Sequence, residues 1–255
     1  MSDASTDALP FVAPCRRLPA LAPLRWLRLG WRDLSAAPGV SLAYGVGIFV
    51  LSAAVGAIGW RYGSGWMLLV LLSSFIFVAP VLAIGLYAIS AQLARGQRPS
   101  LGHCLYEVKR RVGDELVYSL ILMVICLVWV RAGSGVQIFY PESGQPTRAE
   151  LLTFFAIGSA VGSIFALVVF AASAFSLPML LDRRTDSITA VVTSINAVLR
   201  NKPAMAVWAA LIIGAVAIGF ATVCVGLAVT MPLIGHATWH AYRETIDASA
   251  WPDYD

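Results

Sequence analysis

Residues 151–181 read LLTFFAIGSAVGSIFALVVFAASAFSLPMLL, and no charged side chain interrupts them. A helix rises about 1.5 Å per residue, so roughly 20 apolar residues cross a hydrocarbon core of about 30 Å. Water is a poor solvent for such a run. Four further apolar stretches flank it: Val40–Trp60, Trp66–Leu93, Leu116–Val130 reaching toward Val136, and Ala204–Tyr242. The last is too long for one span and divides into two helices with a turn near Gly219–Val223. The expected fold is all-α, a polytopic transmembrane helix bundle. Its six spans form three hairpins, each preceded by a short cytoplasmic amphipathic helix.

Composition agrees. Of 255 residues, 59% are hydrophobic and 13% charged, where soluble domains carry about 25% charge. This excludes a disordered chain, a nucleic-acid-binding domain, a disulfide scaffold and an ordinary soluble enzyme. Cys15, Cys104, Cys126 and Cys224 lack metal or redox spacing, so no disulfide is expected.

Basic residues cluster between the apolar runs. Fifteen of the 18 lie before the first span, between the second and third, between the fourth and fifth, or after the sixth. Only Arg61, Arg131 and Arg148 fall on the other side. The positive-inside rule then places both termini in the cytoplasm of a bacterial inner-membrane protein. The expected partners are the lipid bilayer and its anionic headgroups on the cytoplasmic side, with a homo-oligomer or membrane-complex subunit also open and no nucleic acid. The start of the chain has no basic segment followed by an apolar core, unlike a secretory signal peptide. Residues 1–20 read as a disordered cytoplasmic tail, 21–243 as a single transmembrane domain and 244–255 as an acidic C-terminal tail.

Three units, about 21–95, 99–183 and 186–243, share one design. Each opens with an amphipathic segment, followed by a breaker and two spans. Leu24, Leu27, Trp31 and Leu34 fall on one helical face, as do Leu101, Cys104, Leu105 and Val108. A third stripe runs from Ile188 to Leu199. These helices lie in the headgroup layer or pack against each other under the bundle. An aromatic follows each breaker, Tyr44, Tyr118 and Trp208, at the depth of an aromatic belt. The returning span of each unit carries a helix-kinking proline: Pro80, Pro178 and Pro232.

Lipid tails give helices no hydrophobic drive to associate, so small residues mark the contact faces. Gly158, Gly162 and Ala166 form one such stripe; Gly45, Ser52 and Gly56 form another, and Gly214 lies on a third. None of the 14 acids falls at the centre of a span, which argues against ion-coupled transport. His236 and His240, four apart, share a helix face and could ligate metal or haem iron. The blander alternative is an interfacial cluster with Trp239, Tyr242 and Arg243, since no carboxylate or cysteine stands in register with the pair. No cofactor is expected, and no nucleophile elbow or zinc-protease motif is present.

The strings WRDLSAAPGVSLAYG (31–45), APVLAIGLYAIS (79–90), FSLPMLLDR (175–183) and PLIGHATWHAYR (232–243) resemble the bacterial integral membrane proteins grouped as domain of unknown function 2189. Some members carry a cytochrome c oxidase subunit label, so the resemblance implies at most association with a respiratory complex. It supplies no catalytic residues. The expected function is a non-enzymatic accessory, assembly or membrane-organising protein. The alternatives are a passive permease or lipid-handling protein, and a metal or haem binder using His236 and His240.

Overall fold

The computed structural model describes residues 10–63, 82–110, 112–139 and 147–253. Ten α-helices run through them. They are α1 (Ala22–Ala36), α2 (Pro38–Tyr62), α3 (Leu82–Ala94), α4 (Leu101–Arg110), α5 (Val112–Val136), α6 (Arg148–Ser173), α7 (Ser176–Asp182), α8 (Ser187–Arg200), α9 (Lys202–Ala221) and α10 (Leu227–Thr245). Among the described residues, four stretches are long and apolar enough to cross a membrane: Pro38–Gly59, Leu116–Val136, Arg148–Asp182 and Lys202–Ala221. Most of Trp66–Leu93 lies outside the described residues, as does Pro80. α10 is less apolar, because its second half carries His236, His240, Arg243 and Glu244.

Local chemistry sets the helix boundaries. Thr147 and Glu150 form a capping box at the start of α6: the Glu150 amide donates to Thr147 Oγ1 (3.3 Å), and the Thr147 amide to Glu150 Oε2 (2.8 Å). Asp186 caps α8 by accepting from the Thr189 amide at 2.9 Å. The stretch 204–242 is split by a turn over Thr222–Gly226, a few residues later than expected. Val223 and Cys224 there take positive φ angles of 53° and 65°.

A short helix precedes a long apolar helix with one residue between them at Ala37 and at Asn201. The Ala37 and Asn201 junctions have similar backbone angles, φ −133°, ψ 57° and φ −122°, ψ 34°. Seven residues before those two junctions stand small residues, Gly30 and Ser194, and Cys104 lies on the short helix α4. Each meets the returning helix of another unit. A Cβ on Gly30 would stand 2.9 Å from the Leu233 carbonyl of α10. Cys104 Sγ lies 3.6 Å from Gln92 of α3. Ser194 enters the break between α6 and α7. The short helix of unit one therefore sits on unit three, that of unit two on unit one, and that of unit three on unit two.

The α6–α7 break follows from Pro178, whose ring cannot tolerate the helical carbonyl of Ala174 four residues earlier. Ser194 bridges the opened ladder: its Oγ accepts from the Phe175 amide (3.1 Å) and donates to the Ala171 carbonyl (2.7 Å). Pro232 breaks the ladder of α10 in the same manner and frees the Ala228 carbonyl. Gly45 of α2 lies directly against that carbonyl, so close that any Cβ would collide with it.

Several expectations need correction. The aromatics at the start of the long helices do not form a belt. Tyr118 and Trp208 are buried; Trp208 stacks edge-on with Trp26 at 5.5 Å, and the Tyr44 ring fills the space beside Gly85. The buried face of α1 is Ala22, Trp26, Gly30, Asp33 and Leu34, while Leu24 and Trp31 point outward. The short helices thus rest on returning helices rather than on each other, and each keeps apolar residues exposed, among them Leu105 and Ile188. The tails are docked where described. Ala13 is buried, its amide donating to Thr193 Oγ1 at 3.1 Å, and Cys15 bridges to Ile246. Trp251 is buried, and Arg183 pairs with Asp253 at 2.6 Å. Residues 1–9 lie outside the described residues.

Gly45→Val should cost about 1–3 kcal/mol through overpacking, and Ser194→Ala a similar amount through two buried backbone groups left unpaired. Gly214→Ala, which meets no described atom within 4 Å, should stay within about 0.5 kcal/mol. Thermal unfolding in mild detergent measures all three.

Candidate functional site

The second half of α10 is the centre to which the rest of the chain is tied. His236 is wholly buried, as are Ser41 and Ser90. Its Nε2 lies 2.9 Å from Ser41 Oγ on α2, and its Nδ1 2.8 Å from Ser90 Oγ on α3. A neutral imidazole donates from one nitrogen and accepts at the other, and a hydroxyl serves either role, so the trio satisfies itself. One turn on, His240 Nε2 meets Asp33 Oδ2 of α1 at 2.7 Å. Tyr242 OH and Arg243 Nη1 both donate to Asp182 Oδ2 on α7, at 2.9 and 3.0 Å. Glu244 accepts from Trp26 Nε1 at 2.9 Å and pairs with Arg25.

Asp33 is 5% exposed. Burial works to raise its carboxyl, but the hydrogen bond and charge of His240 outweigh that, helped by the Ser90 hydroxyl and the charge of His236. Its pKa is therefore held below the ordinary carboxylate value. Asp33 and Asp182 lie in the charged segments between the apolar runs, yet both are buried. Their burial is the main signal that sequence reasoning missed, since α10 lies some 200 residues beyond Asp33. The carboxylate partner that seemed lacking for the histidine pair is Asp33, supplied by the fold rather than by local spacing.

The two histidines are brought close by their shared helix turn, but their partners are serines and an aspartate. Among the described residues, no group of three or more His, Cys, Asp or Glu is placed to hold a metal ion. Of the small-residue positions, Gly45 is buried in a helix contact, and Ser52 is half-buried. A Cβ on Gly158 would reach Val136 at 3.8 Å, whereas Gly56, Gly162 and Gly214 meet no described atom within 4 Å, and Ala166 is exposed. Pro178 and Pro232 stand at the breaks described above.

Beside this centre is a cavity of about 360 Å³ between α3, α4, α7 and α10. Gln92, Arg95, Gln97, His103 and Arg110 supply most of its polar lining, and Trp239 closes one side. Nothing in the sequence pattern marked it, because its walls come from four separate helices.

The outer faces of the long helices are apolar: Leu120, Val124 and Leu127 on α5, Ile164 and Leu167 on α6, and Ile213 and Phe220 on α9 are exposed. An apolar exterior around an interior tied across helices by polar contacts defines an integral membrane protein of the helical class. Residues 67–182 match the family model described as predicted integral membrane protein, domain of unknown function 2189. That description names no oxidase. Comparison with curated proteins and with solved structures finds no match for the chain.

Asp33→Asn should lower stability by about 1–3 kcal/mol by weakening a charged hydrogen bond. The sign with pH follows from linkage: a lowered folded pKa contributes stability that is present above the unfolded value near 4 and is lost as pH falls through the folded value. The variant should therefore show a shallower loss of thermal stability on acidification than the natural chain, as read by a pH series of melting curves.

Proposed function

We propose that the protein is a non-enzymatic accessory, assembly or membrane-organising protein of the bacterial inner membrane, with six spans and both termini in the cytoplasm. The observation that carries this reading is the use made of the ionisable groups on α10. His236, His240, Arg243 and Glu244 are each committed to a partner within the chain. Side chains held in this way act as struts between helices, and a strut is poorly placed to turn over a substrate. The basic asymmetry of the sequence supports the orientation. The open small-residue positions Gly162 and Gly214 suit a neighbouring helix from another copy or another subunit.

A lipid-handling role is the second reading, favoured by the polar cavity beside α10. Metal or haem binding through His236 and His240 has less in its favour, since three of their ring nitrogens already have partners at 2.7–2.9 Å.

Native mass spectrometry of the gently extracted protein should show a second subunit, either another copy or a different membrane protein. A bare monomer in every mild detergent would count against the accessory role. A reporter fused after Arg243 should read out in the cytoplasm, and a periplasmic signal would overturn the topology.

A further inference from the structure

We propose that the cavity between α3 and α4 binds the phosphate of an anionic phospholipid headgroup. At about 360 Å³ it falls within the usual range of small-molecule sites, roughly 300–1,000 Å³. Its mouth is a fixed turn. The Gly96 amide donates to the Leu93 carbonyl at 3.0 Å and the Gln97 amide to the Gln92 carbonyl at 2.9 Å, with Gly96 at φ +71°. This is the Schellman closure of a helix, and it sets Arg95 and Gln97 on the cavity wall without a flexible loop. Gln92, 4% exposed, is anchored by its Nε2 donating to the Ala88 carbonyl at 3.1 Å.

The charge of the lining is set by which acids are already engaged. Asp182 accepts from Tyr242, Arg243 and Arg183, so its charge is met from outside the cavity. Glu107 lies 3.7 Å from His103 on the same helix. Glu107 then sets one carboxylate against the guanidiniums of Arg95 and Arg110, and the lining keeps a net positive charge. Guanidinium groups match phosphate oxygens in geometry and charge.

A free phosphate and a lipid headgroup share that chemistry, and the surroundings favour the lipid. The α4 rim exposes Leu101, Leu105 and Tyr106, at 42%, 61% and 58%. Apolar side chains beside a basic pocket give acyl chains a surface next to the headgroup, whereas a dissolved ion has no use for them. Basic pockets between spanning helices at the cytoplasmic face are suited to anionic headgroups. The site rests on the proposed topology only for which leaflet it faces.

The test uses the full-length protein in a neutral detergent, titrated with phosphatidylglycerol or phosphatidylcholine and read by native mass spectrometry. Phosphatidylglycerol should be retained preferentially, and Arg95→Gln should reduce that preference about fivefold, as expected for one basic contact. Arg95→Lys should keep most of it. Unchanged melting of Arg95→Gln would establish that the fold is intact; should it unfold, Gln97→Leu at the same mouth gives the same reading. Equal retention of the two lipids, or no loss in the variants, would overturn the proposal. Millimolar inorganic phosphate that raises the melting temperature as much as phosphatidylglycerol does would assign the site to a free anion and overturn the lipid claim. Because detergent has no leaflets, this result stands apart from the reporter fusion, and either can fail alone.

Discussion

A helix that takes two histidines into an apolar bundle, His236 wholly and His240 largely buried, is tolerable only if both are met. An unpaired buried polar group costs about 1–3 kcal/mol, and an unpaired charge costs more. α10 meets this constraint by drawing partners from four of the helices around it: Ser41 from α2, Ser90 from α3, Asp33 and Trp26 from α1, and Asp182 from α7. The arrangement of those helices follows from the list. Each must present one polar atom at one height on α10, which fixes both its distance and its register. In a medium that offers no hydrophobic drive between helices, such fixed polar contacts specify the neighbours.

Backbone-to-backbone contact does the remaining work. Proline opens the helical ladder in α10 and at the α6–α7 junction, and in both places the neighbouring helix answers the opening. Gly45 covers the Ala228 carbonyl with bare backbone, whereas Ser194 supplies a hydroxyl that bridges Phe175 and Ala171. A kink that would be a weakness in an isolated helix becomes a docking point for a particular residue type. This also accounts for Gly30 and Ser194, the small residues seven positions before the Ala37 and Asn201 junctions, since larger ones could not approach the returning helix.

Much of this architecture was legible in the sequence. The apolar runs gave the long helices, because hydropathy over some 20 residues needs no tertiary information. Pro178 and Pro232 marked breaks, since prolines act on their own few residues. The fate of polar side chains was not legible. Asp33 lies in a segment rich in arginine and reads as solvated, yet it is buried against a histidine of the last helix. Leu24 and Trp31 lie on the apolar stripe of α1 yet point outward, because Trp26, Gly30 and Asp33 make the contact with α10. The cavity at Gln92, Arg95 and Arg110 needed the fold to bring it together.

The helix that organises the bundle leaves the ribosome after all the helices it organises. α1, α2, α3 and α7 must therefore enter the bilayer with Asp33, Ser41, Ser90 and Asp182 unmatched, and wait. Translation of the thirty residues from the Thr222–Gly226 turn to Trp251 is then the event that turns a set of separate segments into one cooperative body. A ribosome stalled before that point would leave the earlier helices made and still without the contacts that order them.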